Sequence, residues 1–310
     1  MNEISNKKFY ITFDWKFNLM MGITIIVWAL AFPYIKIGLK ELSFINLTIM
    51  RFFIVSIVFL FILLIGKNKI SKLQKKDIIP IFLLGVFGVI AYHLALNFGE
   101  QFISASAASL IISTIPIQIV ILSIIFLKEK ITIIKIMGII FSFFGVIIIS
   151  IWGKESSTIE INYMYGAIAV LFAATMGAIY TIFGKKFLDR YSGFSLTIYA
   201  MLFGSFGLTP FISKSLFDEV INMSIDGWVA IIILGLFSTV IGYSLWYIAL
   251  KKKSAVDLSI YLYAIPVLST IISYKMFQDQ ITYLFIFGGF LVIFGLIIVN
   301  LEKRKNKQKN

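Results

Sequence analysis

The sequence predicts an all-α integral membrane protein of ten transmembrane helices, arranged as two inverted five-helix repeats. Composition, the spacing of apolar segments and an internal repeat predict this fold class. Hydrophobic residues make up 60% of the chain and charged residues only 14%. Soluble domains contain about 45–50% apolar and about 25% charged residues, so the composition excludes a soluble class.

Ten segments reach the length of about 20 mostly apolar residues that a helix needs to cross a bilayer. In chain order they are 17–38, 45–65, 78–98, 104–127, 132–152, 163–184, 194–213, 227–250, 254–276 and 281–301. We expect one repeat within residues 1–152, a second within 153–310, and no soluble domain. The first segment is expected to be a retained helix, because it is longer than a signal peptide and no cleavage site follows it.

Basic residues are distributed unevenly between alternate links. With the N-terminus inside, those of the inner links and termini fall within 7–16, 67–76, 128–135, 185–190, 251–253 and 303–309. The outer links hold Lys36, Lys40, Lys154, Lys214 and Lys275. Because basic residues favour the cytoplasmic side, we expect a cell-membrane protein with both termini in the cytoplasm. The net charge of +13 then belongs to residues beside the bilayer, and no nucleic-acid partner is expected.

The chain matches itself at an offset of 150 residues, as the segments LKEKIT (127–132) and FQDQIT (277–282) illustrate. The same offset pairs Pro116 with Pro266 and Gly145 with Gly295. Five spans per repeat is an odd number, so the second repeat must enter the membrane from the opposite side. That inversion explains why only the first of the two segments is rich in lysine. Inverted repeats are typical of secondary transporters, whose substrate sites lie near the bilayer midplane.

Several segments carry a resemblance to a known family. They are WALAFPYIKIGL, MRFFIVSIVFL, HLALNFGEQFISASAASLIISTIPIQIVILSIIFLKEKIT and SAVDLSIYLYAIPVLSTIISYKMFQDQIT. On these segments, residues 15–301 resemble the EamA family of the drug/metabolite transporter superfamily. Asp279 departs from the glutamate that is usual there. The resemblance implies ten helices around a central cavity, and export or exchange of small organic metabolites.

His93 is the strongest candidate for the site, because it is the single histidine of the chain and polar residues within spans usually face a cavity. The repeat offset pairs it with Tyr243, and pairs Asn97 with Tyr247 one turn further along. Tyr92 and His93 also match a Tyr-His step in family members that export aromatic amino acids. A histidine could pass a proton. Alternatively, His93 is hydrogen-bonded to a neighbouring helix.

Further candidates are aromatic residues and polar residues beside the prolines. Aromatic faces could hold a cationic or amphipathic substrate, although aromatic residues also pack cores and line membrane interfaces. Hydroxyls near a proline can instead satisfy backbone groups that it frees. The predicted substrate-binding residues are Trp28, Tyr92, His93, Asn97, Ser113, Gln118, Tyr180, Tyr243, Trp246, Tyr247 and Tyr263.

A smaller set is predicted to act in gating or coupling: Arg51, Pro116, Asp257 and Pro266. Arg51 lies inside the second span, where it either extends outward to Glu41 or Glu100 or attracts an anionic group. Asp257 either compensates the helix dipole beside the lysines at 251–253 or couples transport to a cation or proton. Glu129 and Asp279, which follow the fourth and ninth spans, are expected to be structural or gating residues.

Enzyme classes find little support in the sequence. It has no cysteine and no H-E-x-x-H, G-x-S-x-G or P-loop motif. We therefore expect no catalytic residue, metal or cofactor. The favoured function is secondary, ATP-independent export of amino acids or related compounds, with possible proton coupling. The alternative is uptake or exchange of a larger nucleotide-like or cofactor metabolite. The expected partners are a small-molecule substrate and the lipid bilayer, with the protein a monomer or homodimer.

Overall fold

The computed structural model describes residues 14–66, 70–152, 161–277 and 282–306. Within these ranges the regular structure is helical, with no β-strand. The helices are α1 (Trp15–Gly38), α2 (Phe44–Ile65), α3 (Lys75–Phe102), α4 (Ala105–Leu127), α5 (Ile133–Trp152), α6 (Ile161–Phe187), α7 (Gly193–Phe211), α8 (Lys214–Ile221), α9 (Ile225–Lys252), α10 (Ala255–Met276) and α11 (Tyr283–Asn306).

Eight of the described helices are long and apolar enough to cross a membrane: α1–α4, α6, α7, α9 and α10. The protein is therefore a multi-pass membrane protein, as the sequence predicts. The two other predicted spans correspond to α5 and α11, whose apolar stretches within the described residues are shorter, at Ile133–Gly145 and Ile286–Gly295. The ten-helix count stays a prediction. The sequence did not predict the short helix α8, which lies in a link and buries only Leu216.

Serine residues fix where many of the helices begin. The Ser43 hydroxyl accepts the backbone N–H of Asn46, and the Ser254 hydroxyl accepts that of Asp257. The same N-cap occurs at Ser104, Ser192 and Ser224. Each cap satisfies an N–H that the first helical turn leaves without a partner, at a gain of about 1 kcal/mol. These serines lie in the short links, so they set the ends of the spans.

The helices that approach the centre of the bundle are interrupted at equivalent positions. In α3 a π-helical segment covers Val86–Ala91, and in α9 one covers Ile233–Ile241. In α4 a turn at 113–114 precedes Pro116, and in α10 a 3-10 turn at Ile260–Tyr263 precedes Pro266. Such irregular segments cluster at functional sites. They redirect the side chains that follow them, including those at the centre of the molecule.

Small residues bring α5 and α11 into close contact. A Cβ at Gly145 would lie 2.5 Å from the carbonyl oxygen of Gly288, and a Cβ at Gly295 would collide with the carbonyl oxygen of Gly138. The Ser142 hydroxyl donates to the carbonyl oxygen of Val292 at 3.2 Å. These two helices therefore pack together within one chain, through backbones that only glycine lets approach so closely.

We expect Gly145→Ala to lower the stability of the bundle by about 1–3 kcal/mol, since the new methyl group meets backbone atoms that cannot move aside. Gly289→Ala is the matched control. Its Cβ would meet only Val267 Cγ1, at 3.8 Å. Thermal unfolding of both variants in detergent measures the difference. Equal stability of the two variants would contradict the close α5–α11 packing.

Candidate functional site

A cavity lies at the centre of the bundle, between α1, α2, α3, α4, α6, α9 and α10. The space in it that the centre of a water-sized molecule can occupy is about 70 Å³. Its lining residues are Trp28, Ala31, Phe32, Arg51, Gly88, Tyr92, His93, Leu96, Ile112, Ile115, Gly177, Tyr180, Thr181, Tyr243, Trp246, Leu262 and Ile265. The wall is mostly apolar, with a few polar groups that converge on it, which is typical of a small-molecule site.

The His93–Tyr243 pair joins α3 to α9 across this cavity. The Tyr243 hydroxyl lies 3.2 Å from His93 Nε2, and both side chains are buried. His93 also packs against the ring of Phe52, with ring centroids 4.9 Å apart. His93 Nδ1 has no hydrogen-bond partner among the described residues. A buried polar atom without a partner is costly, so this nitrogen is available to a bound molecule or a water.

Aromatic rings form one side of the cavity. The ring of Trp28 lies 5.3 Å from those of Tyr243 and Trp246, and Tyr180 lies 5.8 Å from Tyr243, measured between centroids. The indole N–H of Trp28 donates to the carbonyl oxygen of Ser238 at 2.9 Å. These contacts hold the rings in fixed orientations. A fixed aromatic wall can bind an apolar side chain by packing or a cation through the ring face.

Arg51 places a fixed positive charge on the cavity wall. Its side chain is 2% exposed, and Nε donates to Thr239 Oγ1 at 2.7 Å. The Thr239 hydroxyl in turn donates to the carbonyl oxygen of Leu234 within the π-helical segment of α9. Neither of the ion pairs found between described residues involves Arg51. A buried guanidinium without a carboxylate partner can attract an anionic group of a ligand.

The predicted contact of Arg51 with Glu41 is absent from the described part of the chain. Glu41 instead accepts hydrogen bonds from the backbone N–H and the hydroxyl of Ser224, at 2.8 and 2.5 Å. These bonds lower the pKa of the Glu41 carboxyl from its ordinary value. They hold the link after α1 against the start of α9. Arg51 instead donates to Thr239 and acts electrostatically on Glu100, the other carboxylate that the sequence analysis named. Its attraction of an anionic group of a ligand stays a prediction.

The structure brings six of the predicted substrate-binding residues to the cavity wall: Trp28, Tyr92, His93, Tyr180, Tyr243 and Trp246. The other five lie off this wall: Asn97, Ser113, Gln118, Tyr247 and Tyr263. The Asn97 amide donates to Thr48 Oγ1 at 2.9 Å, and the Tyr247 hydroxyl donates to the carbonyl oxygen of Tyr180 at 2.9 Å. Ser113 donates to a carbonyl of its own helix. These groups join helices or bond locally.

The predicted gating residues other than Arg51 do not line the cavity, although Ile115 and Ile265, which directly precede the two prolines, do. Pro116 and Pro266 are buried within α4 and α10. Asp257 forms an ion pair with Lys135, with a separation of 2.9 Å. Glu129 accepts the backbone N–H groups of Ala255 and Val256, at 3.0 and 3.3 Å, and so binds the first turn of α10. Asp279 lies outside the described residues.

Ten of the lining residues were missed by the sequence analysis, and among them are Gly88, Gly177 and Thr181. A signal was present, because Gly88 precedes Tyr92 by four residues and Gly177 precedes Tyr180 by three. Residues with these spacings share a helix face. A glycine on the face of a candidate aromatic residue leaves space beside it. Thr181 follows Tyr180 directly and had no such signal.

Comparisons with known proteins agree with this fold. The sequence model of the EamA-like transporter family matches residues 15–151 and 164–301. An uncharacterized transporter of Archaeoglobus fulgidus is 39% identical over 281 residues, which covers 91% of this chain and 97% of the relative. A probable terminal-alkyne amino-acid exporter of Streptantibioticus cattleyicolor is 28% identical over 278 residues, covering 90% and 91%.

A solved crystal structure has the same fold, with a TM-score of 0.71 over 94% of this chain and 98% of the other. Its sequence identity is 17%, so this likeness concerns the fold alone. The family match, by contrast, extends over most of the sequence, and it confirms the resemblance found from the sequence segments. The chain belongs to the EamA-like transporter family.

Proposed function

We propose that the protein is a secondary transporter that exports amino acids or related small compounds by alternating access around the central cavity. The observation that carries this proposal is the cavity itself, where a buried arginine, a histidine and an aromatic wall converge. The similarity to a probable amino-acid exporter supports the substrate class. Membership of a transporter family argues against an enzymatic role. The lack of a catalytic motif in the sequence argues the same way.

The wall has the chemistry that an amino acid requires. Arg51 can bind a carboxylate through charge-assisted hydrogen bonds. The rings of Trp28 and Tyr180 can hold an apolar side chain and attract an ammonium group, at about 0.5–2 kcal/mol for each cation–π contact. His93 Nδ1, which has no partner among the described residues, can donate or accept one hydrogen bond. A carboxylate, an ammonium and a side chain would each have a place.

Two inverted five-span repeats, within 1–152 and 153–310, are part of this proposal. Lys36 Nζ donates to the carbonyl oxygen of Glu100, and Lys185 Nζ donates to that of Leu250. Glu100 and Leu250 are related by the 150-residue offset, and the lysines by nearly that offset. The two contacts lie at opposite ends of the bundle. Equivalent contacts at opposite ends support an inverted arrangement.

Alternating access requires contacts at each end that can open in turn. With both termini in the cytoplasm, as proposed, the cytoplasmic end holds Glu129 at the first turn of α10 and the ion pair of Lys135 with Asp257. The outer end holds Glu41 at Ser224 and Glu219 at the backbone N–H of Ser43. Each set links different helices, so opening one end leaves the other intact.

Flux in liposomes tests the proposed function. The purified protein is reconstituted without ATP, and counterflow of labelled amino acids is measured after a thermal-shift screen has identified ligands. Accumulation of a labelled amino acid supports the proposal. Binding and exchange restricted to nucleotide-like or cofactor compounds would favour the alternative carrier. Conversion of the labelled compound into a product would indicate an enzyme.

Arg51→Gln should weaken the binding of carboxylate-bearing ligands at least about tenfold, because a hydrogen bond to a charged group contributes about 1.5–3 kcal/mol. The matching amines, which lack the carboxylate, should bind equally well to both proteins. Lys40→Gln removes a positive charge from an exposed link and serves as the control. Titration calorimetry in detergent measures the affinities. Parallel losses for acids and amines would contradict the carboxylate role.

Tyr243→Phe should lower ligand affinity about twofold to tenfold, because it removes the hydroxyl that contacts His93, and a neutral hydrogen bond contributes about 0.5–1.5 kcal/mol. Tyr263→Phe makes the same chemical change at a buried tyrosine off the cavity wall. We expect its affinity to be unchanged. An equal effect of the two substitutions would argue against the cavity as the binding site.

Glu129→Gln should favour opening at the cytoplasmic end, because glutamine replaces a carboxylate that accepts two backbone N–H groups. The chain has no cysteine, so a single Leu262→Cys on the cavity wall reports access. An impermeant maleimide added at the cytoplasmic side should label this introduced cysteine faster in the Glu129→Gln variant than in the protein that keeps Glu129. Glu219→Gln at the other end is the control. Faster labelling from the outer side alone would contradict the proposed gate.

A further inference from the structure

The carboxyl group of Glu100 is buried without a partner. Glu100 lies in the last turn of α3, and its side chain is 0% exposed. Neither carboxyl oxygen has a hydrogen-bond partner among the described residues, and Glu100 takes part in neither of the ion pairs found there. Acidic residues are almost never fully buried unless they are paired. This group therefore requires an explanation that packing does not give.

A third unpartnered oxygen lies on the same face of α3. Asn97 precedes Glu100 by three residues, so the two side chains are neighbours on the helix. Asn97 is buried, and its amide nitrogen donates to Thr48 on α2. Its Oδ1 has no partner within the described part of the chain. Two oxygen atoms of Glu100 and one of Asn97 are thus buried without partners at neighbouring positions on one face of α3.

Two positive charges act on this site from neighbouring helices. Lys36 on α1 donates its Nζ to the main-chain carbonyl of Glu100 and not to the carboxyl group. Arg51 on α2 also acts electrostatically on Glu100, while its Nε is bonded to Thr239. On α3 itself, Tyr92 lies two turns earlier.

Among the described residues, the other helices packed against this part of α3 bring no further charge. On α6, Gly166 and Val170 pack against Gly99 of α3. The first half of α4, Ala105–Ile112, has no titratable side chain.

The other repeat shows what this position needs for packing alone. Leu250 occupies the position equivalent to Glu100, is also 0% exposed, and has its carbonyl held by Lys185 in the same way. The lysine–carbonyl contact therefore forms equally well around an apolar side chain. The carboxyl group of Glu100 adds nothing to that contact.

The site suits a proton better than a metal ion. Hard cations in proteins take six or more oxygen ligands, whereas three unpartnered oxygens are present here. Lys36 and Arg51 would also repel a metal cation. A neutral carboxylic acid has no charge to desolvate. Where no hydrogen-bond donor is present, burying it therefore costs far less free energy than burying a carboxylate.

We propose that Glu100 is a proton-binding site on the outer half of the bundle, which carries a proton in this conformation and releases it as the helices around it move. On release the carboxyl O–H bond breaks, its electron pair stays on the oxygen, and the proton passes to water. The carboxylate that forms is stabilised by Lys36 and Arg51. The claim that Glu100 couples transport to protons rests on the proposed function. The claim that Glu100 binds a proton does not.

Infrared difference spectroscopy tests the proton site directly. The carbonyl-stretch band of a protonated carboxylic acid is recorded for the purified protein in detergent near pH 7, where exposed carboxyls are ionised. We expect a band in the wild-type protein that is lost in Glu100→Gln and kept in Glu41→Gln, whose carboxyl is hydrogen-bonded at the surface. A band that is absent, or that survives Glu100→Gln, would overturn the proposal.

Stability distinguishes a proton site from a structural ion pair. Glu100→Gln and Glu100→Leu, the second of which copies the residue at position 250, should unfold at the wild-type temperature or above. A large loss of stability in both variants would indicate an ionised, structurally paired carboxylate and would contradict the proposal. Loss of the infrared band on adding sodium chloride at constant pH would indicate a cation site and would contradict it equally.

Coupling is measured in liposomes with an imposed pH gradient. Wild-type flux should depend on the gradient, and Glu100→Gln should retain exchange without that dependence. Gradient-dependent flux in Glu100→Gln would overturn the coupling role. Absence of flux with any amino acid in the wild-type protein would overturn the proposed function instead, while the infrared band would still decide the proton site.

Discussion

The bilayer requires that polar groups within a span find their partners inside the protein, because the hydrocarbon offers none. Most groups here obey this constraint locally. The hydroxyls of Thr24, Thr48 and Ser205 donate to carbonyls one turn earlier in their own helices. Others reach a neighbouring helix, as Trp28 does at Ser238. Several buried side-chain atoms of the described residues have no partner, and among them His93 Nδ1 and the Glu100 carboxyl are where a ligand or a proton would meet this requirement.

The positions of the large rings depend on glycines in the facing helices. A Cβ at Gly88 would collide with the ring of Tyr180, and one at Gly242 would collide with the indole of Trp28. Packing density in protein interiors leaves little slack for such collisions. In each pair, one helix supplies the aromatic ring and the facing helix supplies the glycine that leaves room for it. α3 and α6 form one such pair at the cavity, and α1 and α9 form the other.

Sequence alone predicted the eight spans that the described helices match, because bilayer thickness sets the length of an apolar segment. It also selected His93, Tyr243 and Trp28, which are rare or polar residues near the middle of spans. It could not separate these from Asn97 and Tyr263, because the interruptions at the π-helical segments and before the prolines change the rotation of each helix. Serine hydroxyls were also hard to place, because periodicity does not reveal whether a serine faces a cavity or donates to a main-chain carbonyl of its own helix.

A carrier needs inward-open and outward-open states of similar free energy, so that a ligand or a proton can shift the population between them. Duplicated contacts supply that balance in the proposed arrangement. Lys36 and Lys185 each hold the carbonyl at the end of one long helix, at opposite ends of the bundle. A state in which one contact is broken and the other is kept then differs from the opposite state by two nearly equal interactions. A residue whose equivalent in the other repeat has different chemistry, as Glu100 has in Leu250, can therefore favour one of the two states.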